Sequence, residues 1–411
     1  MRIIHTSDLH LGVATYGSED PSSGVNRRIL DFFQVFDQVI DYTLSNDADF
    51  LIMCGDTFKD VNPTSTILKM FATRLRRLTS GGVEVVILLG NHDTPKTVGR
   101  TAPPEIFDEL KIEKVYVSSR PNILNLKSGN GEKLRIFTLP YRHPIHVAAK
   151  VEKTQAAKID FDREDIQAAY QKEIKRNIEI FTNAGRRDAE VTILAGHLYV
   201  EGARRGSEKI YIVGEEFAIQ PSILQREIFD YIALGHVHTH QRLPGEPPTV
   251  YSGSLERIDF SEADEAKGFI DIKYIDRRLS WSFIPVKTRP MVKLEIDCAK
   301  SKNPTETLKA EIGKFNVEDA IVKVTLKIKH GTYIDLNQIQ NTLSKTFWHQ
   351  VVQERIFEEQ PAQTPTLGSL NPHETLSRYL KTLKLPSDEV ELLKRLGDEI
   401  VDEVTMEAER T

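Results

Sequence analysis

Cysteine is almost absent: Cys54 and Cys298 are the only two in 411 residues. That excludes a disulfide framework and a thiolate zinc site, so any metal must be held by nitrogen and oxygen. Long apolar runs are missing as well, and Met1-Arg2-Ile3-Ile4-His5 reads as a strand rather than the start of a signal peptide. No segment is therefore expected to cross a bilayer, and the expected location is the cytoplasm. There is no basic excess, since 54 Lys and Arg face 60 Asp and Glu for a formal net charge of -6. This argues against coating nucleic acid by charge alone, although an acidic chain can still present a basic groove or bound cations. Apolar residues at 40% and charged residues at 28% are ordinary, and the length allows two or three globular domains.

The chain begins with short β-branched runs alternating with amphipathic segments. Arg2 to Thr6, Phe50 to Cys54 and Glu84 to Leu89 read as strands. Between them, Ile29, Phe32, Phe33, Phe36, Val39 and Ile40 recur at helical spacing, and Ile67 to Leu78 is again helical. Strand, helix, strand, helix, strand predicts crossover connections and a layered α/β domain. Further strands are predicted at Lys133 to Thr138, Val191 to Ala195 and Tyr231 to Leu234, with a long helix between Arg163 and Thr182. A hairpin from Gly268 to Ile284 should turn at Asp276-Arg277-Arg278, and Lys287 to Pro290 reads as a hinge. Met291 to Ile296, Glu306 to Ile312, Ala320 to Ile328 and Leu336 to Leu343 then suggest a small α+β unit. Residues 361–372, rich in Pro, Thr and Gln, read as a linker, and two amphipathic helices follow, broken at Leu385-Pro386. The expected division is 1–285, 286–360, linker 361–372 and helical segment 373–411. No internal repeat is apparent.

The predicted strands end oddly. Gly90-Asn91-His92-Asp93 follows the third, where Gly-Asn alone would make the turn. Asp8-Leu9-His10, Gly55-Asp56, Gly196-His197 and Gly235-His236-Val237-His238 follow four others. Taken singly, each is an ordinary cap or turn. Together they place Asp8, His10, Asp56, Asn91, His197, His236 and His238 at strand carboxyl ends, where α/β folds assemble ligand sites. Imidazole, carboxylate and amide without thiolate suit manganese, iron or zinc, and seven donors are too many for one ion, so two ions sharing a carboxylate fit better. Glycine beside a ligand should let the backbone turn sharply. Asp8 with His10, and His236 with His238, are two apart, so extended backbone would aim each pair one way.

The series Asp-x-His, Gly-Asp, Gly-Asn-His-Asp, Gly-His and Gly-His-x-His resembles the calcineurin-like metallophosphoesterases. "HTSDLHLG", "GDTF", "GNHD", "ALGHVH" and "YSGSLERIDFSE" are similar to the DNA-repair branch that holds bacterial SbcD and the meiotic recombination eleven nuclease. The resemblance implies a metallophosphoesterase β-sandwich flanked by helices, a small α+β capping domain and a C-terminal helix pair. It implies two Mn2+ ions, or Mg2+, per subunit. Asp8, His10, Asp56 and His238 would hold one, and Asp56, Asn91, His197 and His236 the other, with Asp56 bridging. His92 would be a catalytic non-ligand near the scissile phosphate and Asp93 would orient its ring. The implied activity is double-stranded DNA exonuclease and single-strand or hairpin endonuclease chemistry with an SbcC-type ATPase. That partner would be gripped by Leu376, Tyr379, Leu380, Leu383, Leu393, Leu396 and Ile400, in a heterotetramer built on a nuclease homodimer. Nucleoid-associated, membrane-free action in DNA repair follows from the same likeness.

One departure stands out: Phe58-Lys59-Asp60 replaces the Phe-His that many members carry after the second motif. Lys59 is either a solvated loop residue or a phosphate contact. His143 and His146 follow a strand, with Pro144 favouring a plain loop. His5 reads as a satisfied core histidine, His240 as exposed, and Arg204-Arg205-Gly206-Ser207 as a solvated basic loop or a DNA-backbone contact. A small-molecule phosphodiesterase or phosphatase explains the ligands equally well, but not Ser252 to Arg257, the appended unit or the helix pair. A scaffold with a vestigial site is the third reading, and retention of every ligand type and of His92 argues against it.

Overall fold

Arg2–Thr6 (β1), Phe50–Cys54 (β2) and Glu84–Leu88 (β3) are buried at almost every position, as strands covered on both faces must be. The computed structural model describes residues 1–97, 99–143, 147, 163–204, 206, 217–356, 371–383 and 386–408. His146, Arg205, Ser207, Leu385 and all but the last two residues of the expected linker lie outside them.

β1, β2, β3 and Val115–Ser118 (β4) run parallel in one sheet. The next strands in the chain are Asn122–Lys127 (β5), Lys133–Leu139 (β6), Val191–His197 (β7), Tyr231–Gly235 (β8), Gln241–Leu243 (β9) and Thr249–Tyr251 (β10). They form a second sheet in the order β5-β6-β7-β8-β10-β9, with β6, β7, β8 and β10 parallel. Gly268–Ile275 (β11) and Arg278–Pro285 (β12) return to the first sheet as a hairpin beside β1. Asp276 and Arg277 make its turn at φ 51° and 61°, the left-handed pair that a two-residue hairpin loop requires.

The side-chain period of two sorts each central strand between two cores. Ile3, Phe50, Ile52, Cys54, Val86 and Leu88 point inward and meet Ile136, Ile193, Ala195 and Ala233 of the second sheet. Ile4, Leu51, Met53, Val85 and Ile87 point outward. The helices Arg27–Ser45 (α1) and Ser65–Ser80 (α2) cover them with Phe32, Phe36, Phe71 and Leu75. On the far side, Tyr170, Ile174, Ile178 and Phe181 of the helix Arg163–Ala184 cover the second sheet. Each fully buried Ile, Leu or Phe contributes about 1.5–3 kcal/mol. The result is the expected helix-flanked β-sandwich.

Met291–Asp297 (β13), Ile321–Lys329 (β14) and Trp348–Ile356 (β15) form a small third sheet. β13 and β14 are parallel, so the chain crosses between them through the helix Pro304–Ile312. Its core joins Leu294, Leu308, Ile312, Val322, Val324, Leu326 and Ile339, the last from the helix Leu336–Thr342. β15 escapes sequence reading because Trp348-His349-Gln350-Val351-Val352-Gln353-Glu354-Arg355-Ile356 has no clean alternation.

The chain divides into two compact units, Met1–Arg355 and Ile356–Thr411, so the small sheet belongs to the first. Arg289 ties it there with Asp31 at 2.6 and 2.7 Å, and its guanidinium lies 3.6 Å from the Phe347 ring centroid. In the second unit, Pro372–Thr382 and Ser387–Ala408 are helices, and Leu376 fills the space beside Gly397. Among the described residues no helix is long and apolar enough to cross a membrane.

Candidate metal centre

Parallel strands bring their carboxyl ends to one edge, and the sandwich brings two such edges together. Asp8, His10 and Asp56 come from the first sheet, His197, His236 and His238 from the second. All six are buried. The pairs do not converge through extended backbone, as their spacing alone implies: Asp8, His10, Asp56 and His236 adopt φ of 53°, 45°, 52° and 97°. Left-handed backbone at a residue with a Cβ costs about 1–3 kcal/mol and persists where the surroundings over-determine it. Here backbone bonds enforce it, Asp8 N donating to Gly55 O and His10 N to Asp56 O, both at 3.0 Å.

The glycines serve in two ways. Gly55 does turn sharply, at φ +87°. Gly90 has no such φ; it is needed for room, because a Cβ there would overlap Asp56 Oδ1 and the Asp56 backbone nitrogen.

The donor atoms fall into overlapping groups. Asp8, His10 and His238 offer atoms within 4.8 Å of one another, as do Asp8, Asp56 and His197, and His10, Asp56 and His92. Asp56 Oδ2 lies 3.8 Å from His10 Nε2 and 3.5 Å from His197 Nε2, between the two sets. Asn91 Oδ1 stands 2.8 Å from His197 Nε2 and 2.9 Å from His236 Nδ1. His10 Nε2 and His238 Nε2 are 3.0 Å apart. Two nitrogens about 2.1 Å from one ion stand about 3 Å apart at right angles, so this spacing suits shared coordination.

The proton positions agree. His197 Nδ1 is 2.8 Å from the Cys54 carbonyl, which can only accept, so the ring keeps its lone pair on Nε2, aimed at the Asn91 oxygen. Lone pair facing lone pair is repulsive until a cation stands between them. Burial, with Asp8 and Asp93 nearby, pushes the Asp56 carboxyl well above the carboxylate range, and burial raises Asp8 too. Burial and neighbouring imidazoles drive His10 and His197 well below the usual imidazole range. The carboxyl shifts disfavour charge, and a divalent cation would reverse them; the imidazole shifts already keep the rings neutral, the form that ligates metal. The donor set therefore fits metal.

Asp93 departs from expectation. The His92 ring is held instead by the backbone, with Nδ1 2.8 Å from the Lys59 carbonyl. The Asp93 carboxylate accepts backbone N–H groups from Thr57 at 3.1 Å, Phe58 at 3.0 Å and Gly90 at 3.0 Å, pinning the second motif loop to the third. The carboxylate's hydrogen bonds thus go to the loop, while its charge still acts on the His92 ring and raises it against burial. His92 is half-buried and stands edge-on to His10 at 4.8 Å between centroids, beside the donor cluster rather than behind it.

Other candidates separate cleanly. His5 is a satisfied core histidine between Tyr231 Oη and the Leu234 carbonyl, and burial lowers it to about 3. His143 is buried, its ring 6.3 Å from that of Tyr141, which in turn lies 6.4 Å from the ring of His197. His240 is not freely exposed; it stacks on Phe283 at 4.2 Å. Sequence reasoning missed Glu262, which ends the "YSGSLERIDFSE" stretch and accepts from His238 Nδ1 at 3.0 Å. Its only signal was a carboxylate beside a motif. Burial raises it, but Lys267 and His238 outweigh burial and hold the carboxyl below its ordinary range.

A helix-flanked sandwich whose sheet edges carry paired aspartates and histidines is the arrangement of a metal-dependent phosphoesterase. The chain belongs to the calcineurin-like phosphoesterase family, whose model matches residues 1–240. It is similar to the SbcD component of the SbcCD nuclease of Bacillus subtilis, 29% identical over 300 residues, covering 71% of this chain and 72% of that protein. Among solved structures, a dimetal phosphatase from Danio rerio aligns with a TM-score of 0.42 at 10% identity, over 70% of this chain and 98% of its own. A purple acid phosphatase from yellow lupin (Lupinus luteus) seeds aligns with a TM-score of 0.42 at 13% identity, over 70% of this chain and 52% of its own.

Proposed function

We propose that this chain is the nuclease component of a DNA double-strand-break repair complex, a two-manganese phosphodiesterase that trims double-stranded ends 3′ to 5′ and cuts single-stranded or hairpin DNA. The observation that carries the reading is the reach of the SbcD likeness: 300 aligned residues exceed the 240 that the phosphoesterase family model takes. A phosphatase for small molecules would need only the common core.

In this reading Asp8, His10, Asp56 and His238 hold one ion, Asp56, Asn91, His197 and His236 the other. Bound there, the ions would acidify a water and offset charge on the phosphoryl oxygens. The chain's own contribution is to position groups. With its Nδ1 proton engaged by the Lys59 carbonyl, His92 has Nε2 left as the nitrogen that would transfer a proton to the leaving oxygen. Burial lowers the His92 pKa, the carbonyl opposes that, and a phosphodiester's negative charge would oppose it further. Asp93 keeps the two loops together.

The helices Pro372–Thr382 and Ser387–Ala408 would dock an SbcC-type ATPase. Tyr379, Leu393, Leu396 and Ile400 are 41–61% exposed and suit that role. Leu376 lies against Gly397 and so serves the helix pair's own seam, and Leu380 is buried. By the same likeness the assembly is a nuclease dimer with two ATPase chains, and the small sheet caps the active site.

The test is Mn2+-dependent digestion of end-labelled double-stranded DNA beside bis(p-nitrophenyl) phosphate. Wild type should degrade both, and His92→Ala should lose about 10²–10⁴-fold in rate while still binding metal. Cleavage of the small ester alone, even with the ATPase present, would refute the nuclease reading.

A further inference from the structure

Glu262 is wholly buried, and no ligand role in the two-metal reading needs it. Its Oε1 accepts from His238 Nδ1 at 3.0 Å; its Oε2 accepts Ile258 N at 3.1 Å and Lys267 Nζ at 2.8 Å. With Nδ1 of His238 engaged by the carboxylate, the lone pair sits on Nε2, 3.0 Å from His10 Nε2. Lys267 is buried too, and donates to the His238 carbonyl at 3.2 Å, to Ser254 Oγ at 2.9 Å and to Glu265 Oε2 at 2.7 Å. The anion of one ion pair thus holds the ring of His238 while the cation holds its main chain.

Stability alone explains such a pair poorly. Desolvating two charges offsets most of their attraction, and apolar replacements of buried ion pairs are often neutral or stabilising. Orientation is what this pair supplies. The turn carrying Glu262 is itself fixed, by Asp259 Oδ1 accepting Ser261 N at 2.7 Å and by Phe260 packing on Tyr16 at 5.2 Å and on Trp348 of the small sheet at 6.5 Å.

We infer that Glu262, held by Lys267, is the positioning residue of His238: it fixes the ring tautomer and aims Nε2 at the ion shared with Asp8 and His10. The inference rests on the two-metal reading.

The experiment titrates the metal-stripped full chain with Mn2+, following free Mn2+ by electron paramagnetic resonance. Wild type takes two ions. Glu262→Gln should weaken one of them about 10–100-fold and leave the other unchanged, the usual consequence of losing an outer carboxylate behind a ligating histidine. Phosphodiester cleavage by the variant should then need more Mn2+ but recover its kcat at saturation, and the metal-free chain should melt as wild type does. Unchanged affinity at both sites overturns the inference. So does a kcat that saturating Mn2+ cannot restore, or weakening of both ions together with a lowered metal-free melting temperature. Lys267→Met, which leaves the carboxylate in place, must weaken the same ion, and it decides the matter if Glu262→Gln does not fold. A wild-type chain that takes up no Mn2+ refutes the two-metal reading itself, whereas two tight ions in both wild type and variant refute only the role of Glu262.

Discussion

The imidazole of His92 hangs from the backbone of Lys59, Nδ1 to carbonyl oxygen at 2.8 Å. The side chain of Lys59 is exposed and takes no part in that bond. Lys59→Ala should therefore change kcat on a small phosphodiester less than about twofold, since a carbonyl contact survives any substitution that keeps the backbone path. A hundredfold loss would show that the ammonium group itself touches substrate.

Asp93→Ala should be far more damaging. It strands the buried N–H groups of Thr57, Phe58 and Gly90, each costing about 1–3 kcal/mol when unsatisfied. We expect a clearly lower melting temperature and a fall in activity with it; Asp93→Asn, which keeps one acceptor oxygen, should fall between. A stable but inactive Asp93→Ala would restore a direct role for this carboxylate at the His92 ring.

Gly90→Ala places a methyl where Asp56 Oδ1 and the Asp56 nitrogen now sit. Overpacking of this kind costs about 1–3 kcal/mol, and here the displaced group is the proposed bridging ligand. Mn2+ titration should show both ions weakened, a signature distinct from the single-ion loss expected of Glu262→Gln.

His373 Nδ1 lies 2.7 Å from Asp398, and Nε2 lies 3.1 Å from Asp402 across the terminal helix pair. The hydrogen bond to Asp398 comes first among the causes that raise its pKa. A folded-state pKa above the unfolded 6.5 means this contribution is complete below pH 6.5 and is lost as pH rises through the folded value. Hydrogen exchange of residues 372–408, corrected for intrinsic rates, should show stronger protection at pH 6 than at pH 8, modestly because the site is exposed. The difference should vanish in His373→Gln.

Leu396→Glu with Ile400→Glu alters side chains that are 45% and 61% exposed on one helix face. If the proposed docking holds, the helix content and the cleavage of short substrates should be unchanged, while co-elution with the ATPase proposed as partner should be lost on size-exclusion chromatography. Retained co-elution would refute docking through this face.

Much of this protein was legible in its residues because the relevant signals are local. An apolar run ending in aspartate, asparagine or histidine, in four of five cases through glycine, marks a strand and its loaded end together, so β1, β2, β3, β7 and β8 and the polar residues at their ends were readable without a fold. Three-residue strands such as Gln241–Leu243 and Thr249–Tyr251, and the irregular β15, lack a long enough period and were not.

The sequence by itself determined which donor types exist and that each ends or follows a strand, since residue type and periodicity need no tertiary partner. Only the tertiary structure decided which atoms meet. The left-handed φ of Asp8 and His10 is held by backbone bonds to Gly55 and Asp56, and that of His236 by its N–H on the Asp8 carboxylate, partners that the residues' own types do not name. The support of His92 comes from the Lys59 carbonyl, a group every residue has and no side chain advertises. Glu262 reaches His238 across 24 positions because a short turn is wedged between Tyr16 and Trp348. Contacts through backbone atoms and distant turns carry no periodic or compositional trace, so they appear only once the chain has folded.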